Sequence, residues 1–138
     1  VTPQNKNDAL EIVATLWKGR PEAAFGCAVI NYISDHLDAR HIPFSEFFRL
    51  PSEGKPADHA VVLNIINYLS GAQLHLLAKG FEYIEDDRPV AIDSLQAKAA
   101  YEASINPMTG QFDEAVKKKI FVYFMPSEAA KVVLGGAE

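Results

Sequence analysis

The sequence predicts an α+β protein, a helix-rich single domain with a small antiparallel sheet of about three strands. Three observations carry that prediction. Apolar residues recur at helical spacing in several long stretches, as in Val61, Val62, Ile65, Ile66 and Leu69. Two short runs of strand-forming residues, 81–84 and 89–92, flank a polar turn at 85–88. One apolar run, 120–125, is continuous rather than alternating, which suits a strand buried on both faces.

The first helix is expected over residues 8–18. Asp8 and Glu11 read as its capping pair, Leu10, Val13, Leu16 and Trp17 as its apolar stripe, and Gly19 as its stop. Pro21 then opens a second helix, since the missing N–H costs nothing in a first turn. Phe25, Val29, Tyr32, Ile33 and Leu37 line one face, and Ala23, Ala24, Cys27 and Ile30 make the rest apolar. A helix apolar nearly all round is the central, buried one.

His41, Ile42 and Pro43 break that helix, and Ser45 is expected to cap a short turn through Phe47 and Phe48. Residues 51–57, rich in Pro and Gly, read as a loop. Asp58 begins a third long helix through Leu69, which Ser70 and Gly71 interrupt. Leu74, Leu77, Ala78 and Phe81 stand at i, i+3, i+4 and i+7, so 72–79 is expected to be a helix with Gly80 as its left-handed terminus. Pro89 marks the second hairpin strand as an edge. Asp93 with Gln96 caps a helix through about Tyr101. A turn follows at 106–110, then a short helix at 112–118 with Asp113 and Glu114 at its start and Lys117, Lys118 and Lys119 at its end. Ser127 caps a last helix, 128–134, and 135–138 form a frayed tail.

The chain has 138 residues, 49% of them hydrophobic and 22% charged, with a formal charge of −5. This is the composition of a protein that folds around a core. A disulfide scaffold is excluded by the single cysteine. No stretch reaches the roughly 18 apolar residues of a membrane helix. The N-terminus lacks the basic-then-apolar order of a signal peptide. With one cysteine and no glycosylation sequon, a cytoplasmic location is expected.

No arrangement of residues declares catalysis. His36 and His41 are five apart and share no helix face, so with Asp35 and Asp38 they read as a solvated helix end rather than a metal site. Cys27 sits among Phe25, Gly26, Ala28 and Val29, the setting of an inert thiol. Gly54 and Lys55 lack the rest of a phosphate loop. No cofactor and no metal is expected.

The expectation is therefore a non-enzymatic interaction or regulatory module that self-associates or binds a protein partner. Phe44, Phe47 and Phe48 would offer an aromatic patch beside the loop. Glu85, Asp86, Asp87 and Arg88 would offer a charged hairpin tip. Two alternatives come from other classes. The order helix 58–69, break, helix 72–79, hairpin 81–92 resembles the outline of a winged helix. That resemblance implies DNA contacts from Gln73, His75 and Lys79, although the acidic balance and Asp86 and Asp87 at the wing tip disfavour nucleic acid. The other is a small enzyme drawing on distant residues such as His75, Tyr83 and Asp93.

Overall fold

The computed structural model describes residues 3–52, 55, 56 and 58–135. The helices are α1 (Lys6–Leu16), α2 (Pro21–Asp35), α3 (Phe44–Phe47), α4 (His59–Ser70), α5 (Ser94–Ala103) and α6 (Glu128–Leu134). The strands are β1 (Ile42–Pro43), β2 (Pro51–Ser52), β3 (Lys55–Pro56), β4 (Leu77–Glu85), β5 (Arg88–Ile92) and β6 (Ile120–Pro126), with a 3-10 helix at Val116–Lys119. The fold class is α+β, as the sequence predicts. The sheet has four strands, in the order β1-β6-β4-β5. The additional strand is β1, two residues long, too short to leave a periodic signal. The expected loop at 51–57 holds a two-stranded ladder, Pro51 opposite Pro56 and Ser52 opposite Lys55. Its positions 53, 54 and 57 lie outside the described residues, as do 136–138 of the expected tail.

The chain forms two compact units, Val1–Ala78 with Phe124–Glu138, and Lys79–Tyr123. In the larger unit α2 is the central helix, packed by α1, α4 and α6. Pro21 occupies its first turn, and Phe25, Gly26, Val29, Ile30 and Ile33 are buried along it. A Cβ on Gly26 would run into Val13. The bare glycine thus lets α1 approach closely, which offsets the roughly 1 kcal/mol it costs inside a helix. Glu22 is buried at the start of α2. Asn64 of α4 donates to its Oε2 at 2.8 Å, and Arg20 Nε lies 3.5 Å from Oε1. These partners, the Asn64 hydrogen bond foremost, hold the carboxyl below its ordinary range against the opposing effect of burial.

Several helix ends differ from expectation. Asn5, not Asp8, caps α1, accepting from the Asp8 N–H at 2.9 Å. Ser45 makes no cap for α3; Pro43 occupies that position. Asp58 and Ser127 cap α4 and α6 as read from the sequence.

The expected helix at 72–79 is absent. Residues 72–74 form a turn, and β4 begins at Leu77. His75 adopts φ 47°, a left-handed conformation that halts a helix. Leu76 then finds tertiary partners for its backbone: its N–H donates to Leu69 O at 2.8 Å, and its carbonyl accepts from Ser127 N at 3.1 Å. Gly80 is consequently not a helix terminus but an interior residue of β4. A Cβ there would lie inside the ring of Tyr123, so glycine serves a close approach.

The smaller unit is built on the hairpin. Asp86 and Asp87, at φ 55° and 61°, make a two-residue turn with both positions left-handed, a geometry aspartate tolerates. Glu85 pairs with Arg88, Tyr83 with Val90 and Phe81 with Ile92. Hydrogen-bonded pairs alternate with open ones from that turn, so Pro89 lies in an open pair with its nitrogen toward the free edge. The edge strand thereby loses an outward donor that another chain's strand would need. Asp93 and Gln96 form the expected capping box on α5. Tyr83, Ile92, Ala97, Ala100, Val116 and Ile120 make the core of this unit, with Phe81 packed against it. The helix expected at 112–118 is replaced by a bridge, Ile105 to Phe112, and the 3-10 helix. β6 is not buried on both faces: Phe121 is 46% exposed.

Candidate functional site

In the smaller unit a polar network fixes the hairpin to the chain after α5. Asn106 is buried, and its side-chain amide donates to Tyr83 OH at 3.1 Å and to Asp113 Oδ2 at 3.0 Å. Its carbonyl oxygen accepts from Met108 N at 2.7 Å, the hydrogen bond of an Asx turn. Tyr83 OH in turn donates to Glu85 Oε1 at 2.6 Å. Lys119 Nζ closes the circuit, 3.1 Å from Glu85 Oε2 and 3.6 Å from Asp113 Oδ2. Each of these polar groups is partnered, so the network orders the segment around it.

The network lowers the Glu85 carboxyl, chiefly through the Tyr83 hydrogen bond and then Lys119. It lowers Asp113, chiefly through Asn106, and raises Lys119, chiefly through Glu85. Two depressed carboxyls contribute stability that is complete above their unfolded values, about 4.3 for Glu and 3.9 for Asp, and is lost as pH falls through the folded values. The raised lysine contributes stability that is complete below about 10.4 and is lost as pH rises through its folded value. Unfolding followed against pH is expected to show a plateau between these limits; Lys119→Met is expected to remove the network's alkaline shoulder and to shrink the acid one only in part, since the Tyr83 and Asn106 hydrogen bonds remain. An alkaline shoulder unchanged in that variant would refute the assignment.

The smaller unit also displays apolar surface. Among the described residues nine large hydrophobic side chains are exposed, and six of them, Val90, Leu95, Tyr101, Met108, Phe112 and Phe121, belong to this unit. Leu95 and Phe112 are 76% and 71% exposed. Met108 and Phe112 stand on the segment that Asn106 orders. Sequence reasoning missed all six as a group: Val90, Leu95 and Tyr101 lie on elements that also carry a buried residue, Met108 and Phe112 in an expected turn and helix, and Phe121 in a strand expected to be buried on both faces. Asp86, Asp87 and Arg88 are exposed at the hairpin tip, whereas Glu85 is engaged in the network.

The three phenylalanines expected beside the loop are not equivalent. Phe47 is fully buried, its ring 5.7 Å from Phe124 and 6.2 Å from Tyr32. Phe44 and Phe48 are half-buried, 5.2 Å from each other, with Phe48 5.0 Å from His59. They are the flank of an aromatic cluster rather than a free-standing patch.

Gln73 lies in the turn after α4, His75 at the left-handed position and Lys79 in β4, so no helix presents the three together. Tyr83 and Asp93 are each committed, to the network and to the α5 cap. Cys27 is half-buried with its Sγ 3.8 Å from Leu10 O, and burial pushes its thiol up, away from the reactive thiolate. No group of three or more metal-ligating side chains occurs among the described residues, and no helix there is long and apolar enough to cross a membrane.

The concavities of the larger unit include two lined by described residues. One, of about 430 Å³, has both signs of charge on its wall, Asp38 and Glu128 with Arg40 and Lys131. Lys131 is already paired with Glu128 at 3.3 Å. The other is an open groove of about 520 Å³ between α1 and the end of α4, walled by Ile12, Leu16 and Tyr68, with Thr15 and Gln73 beside them and Asp8 and Glu11 at one end. No protein-family model, curated protein or solved structure matches the chain.

Proposed function

We propose that the protein is a non-enzymatic interaction module that associates with a second copy of itself through the smaller unit. The observation that carries this reading is the concentration of exposed large apolar side chains there, six of nine. Such surface marks interaction sites when it is not scattered evenly. The charges favour a second copy as the occupant. The unit carries exposed acids at Asp86 and Asp87 and exposed bases at Lys117 and Lys118. A two-fold contact offers each patch of one copy to the opposite patch of the other. Contact through side chains, rather than strand addition, follows from Pro89 on the edge of β5. A cytoplasmic setting belongs to the same proposal, supported by the single, half-buried thiol.

Chromatography with light scattering tests the reading. The wild-type chain is expected to run as a dimer at tens of micromolar. Leu95→Glu and Phe112→Glu, both at positions with little to lose on folding, are expected to run as folded monomers. A wild-type chain that is monomeric throughout the concentration series overturns self-association.

A further inference from the structure

We propose that the groove between α1 and the end of α4 seats an amphipathic helical segment of a partner protein, one that carries Lys or Arg one to two helical turns from a Leu, Ile or Phe anchor. The proposal is independent of self-association, since the groove lies wholly in the larger unit.

The shape comes first. Asp8, Ile12 and Leu16 follow one i, i+4 ridge of α1, and Glu11 lies on the next. The stripe from Asp8 to Leu16 is about 12 Å long, room for two turns of a helix laid along it. α1 spends its other face on the core, through Ala9 and Val13. The wall opposite is Tyr68, held by an edge-on contact with Trp17 at 4.9 Å between ring centroids. Burial pushes the Tyr68 hydroxyl up, so it stays neutral and available as a hydrogen-bond donor. An open, largely apolar groove with preset walls is the form that receives a helix through i, i+4 anchors.

The chemistry of the occupant follows from the ends. The apolar side chains stand at the C-terminal part of the stripe: Leu16 remains 54% exposed although it faces this concavity. Both charges stand at the N-terminal part, and both are negative. The Asp8 carboxylate accepts from Gln4 N at 3.1 Å, while Glu11 is exposed toward solvent. Among the described residues no cation lines the groove. An acidic partner segment would meet uncompensated like charge, whereas a basic one gains in both encounter rate and register. The separation of Glu11 from Leu16, about 7.5 Å along the axis, sets the spacing required of the partner.

The test uses a fluorescent synthetic helix with leucines on one face and lysines beside them, and its counterpart with glutamate in place of lysine, titrated by anisotropy with the 138-residue chain. The lysine peptide is expected to bind and the glutamate peptide not to. Glu11→Lys and Leu16→Asp, both at exposed positions, are each expected to raise the Kd at least tenfold while leaving thermal unfolding unchanged. Asp86→Asn with Asp87→Asn, which removes acid elsewhere, is expected to leave the Kd within twofold. The proposal is overturned if the lysine peptide does not bind, if both peptides bind alike, or if the hairpin variant weakens binding as much as Glu11→Lys.

Discussion

Phe47→Ala is expected to cost about 3–5 kcal/mol of folding stability, the range for deleting a buried aromatic side chain. The expectation follows from full burial and from two ring neighbours, Tyr32 and Phe124, that would lose their contacts at once. Edge-on aromatic pairs add to the area term, and the hole left between rigid rings cannot collapse. Phe44→Ala and Phe48→Ala remove side chains that are half-exposed already, so each is expected to cost roughly half as much or less. Urea unfolding of the three variants measures the difference as a shift in midpoint at unchanged slope. This ordering separates two roles that look identical in the sequence. Equal and small losses at all three positions would return Phe47 to the surface and revive the triple as a docking patch.

Helix α2, the capping box of α5 and the hairpin were legible because each is a local signal. Pro at a first turn, Asp and Gln three apart, and alternating strands around a polar turn act on neighbours in the chain. The segment 72–79 was not legible for the opposite reason. Its helical spacing of leucines is real, yet the backbone of Leu76 is held by Leu69 and Ser127, partners that no periodicity reports. Gly80 illustrates the same failure. A glycine after an apolar run reads as a helix stop, but here it makes room for Tyr123, 43 positions downstream. The candidate surfaces were legible only in part. The charged hairpin tip is visible as a run of acids. The groove on α1 is not, because Asp8 reads as a cap and Leu16 as part of a core-facing stripe, whereas Leu16 is exposed beside Tyr68. Asn106 carried no signal beyond a turn residue before proline.

That residue has the second large effect. Asn106→Ala is expected to cost about 2–3 kcal/mol, the usual consequence of opening a buried, fully partnered network. The side chain makes two donations and one acceptance, and these join β4, the 106–110 turn and Asp113, which lies ahead of the 3-10 helix. Asn106→Asp keeps the shape but removes both donors and places a carboxylate beside Asp113. It is expected to be at least as damaging as alanine at neutral pH. Adding Asp113→Asn to that variant returns an amide and a carboxylate to the pair with their places exchanged. The double variant is therefore expected to recover part of the loss, a coupling of about 1 kcal/mol or more that a double-mutant cycle reads directly. Purely additive losses would mean that the two residues act on separate features. The consequence reaches the proposed contact surface. Met108 and Phe112 lie on the segment that Asn106 holds, so Asn106→Ala is also expected to weaken self-association under conditions where the chain remains folded. A variant that loses stability but associates as tightly as the wild type would place the contact on Leu95 and the hairpin rather than on the 106–112 segment.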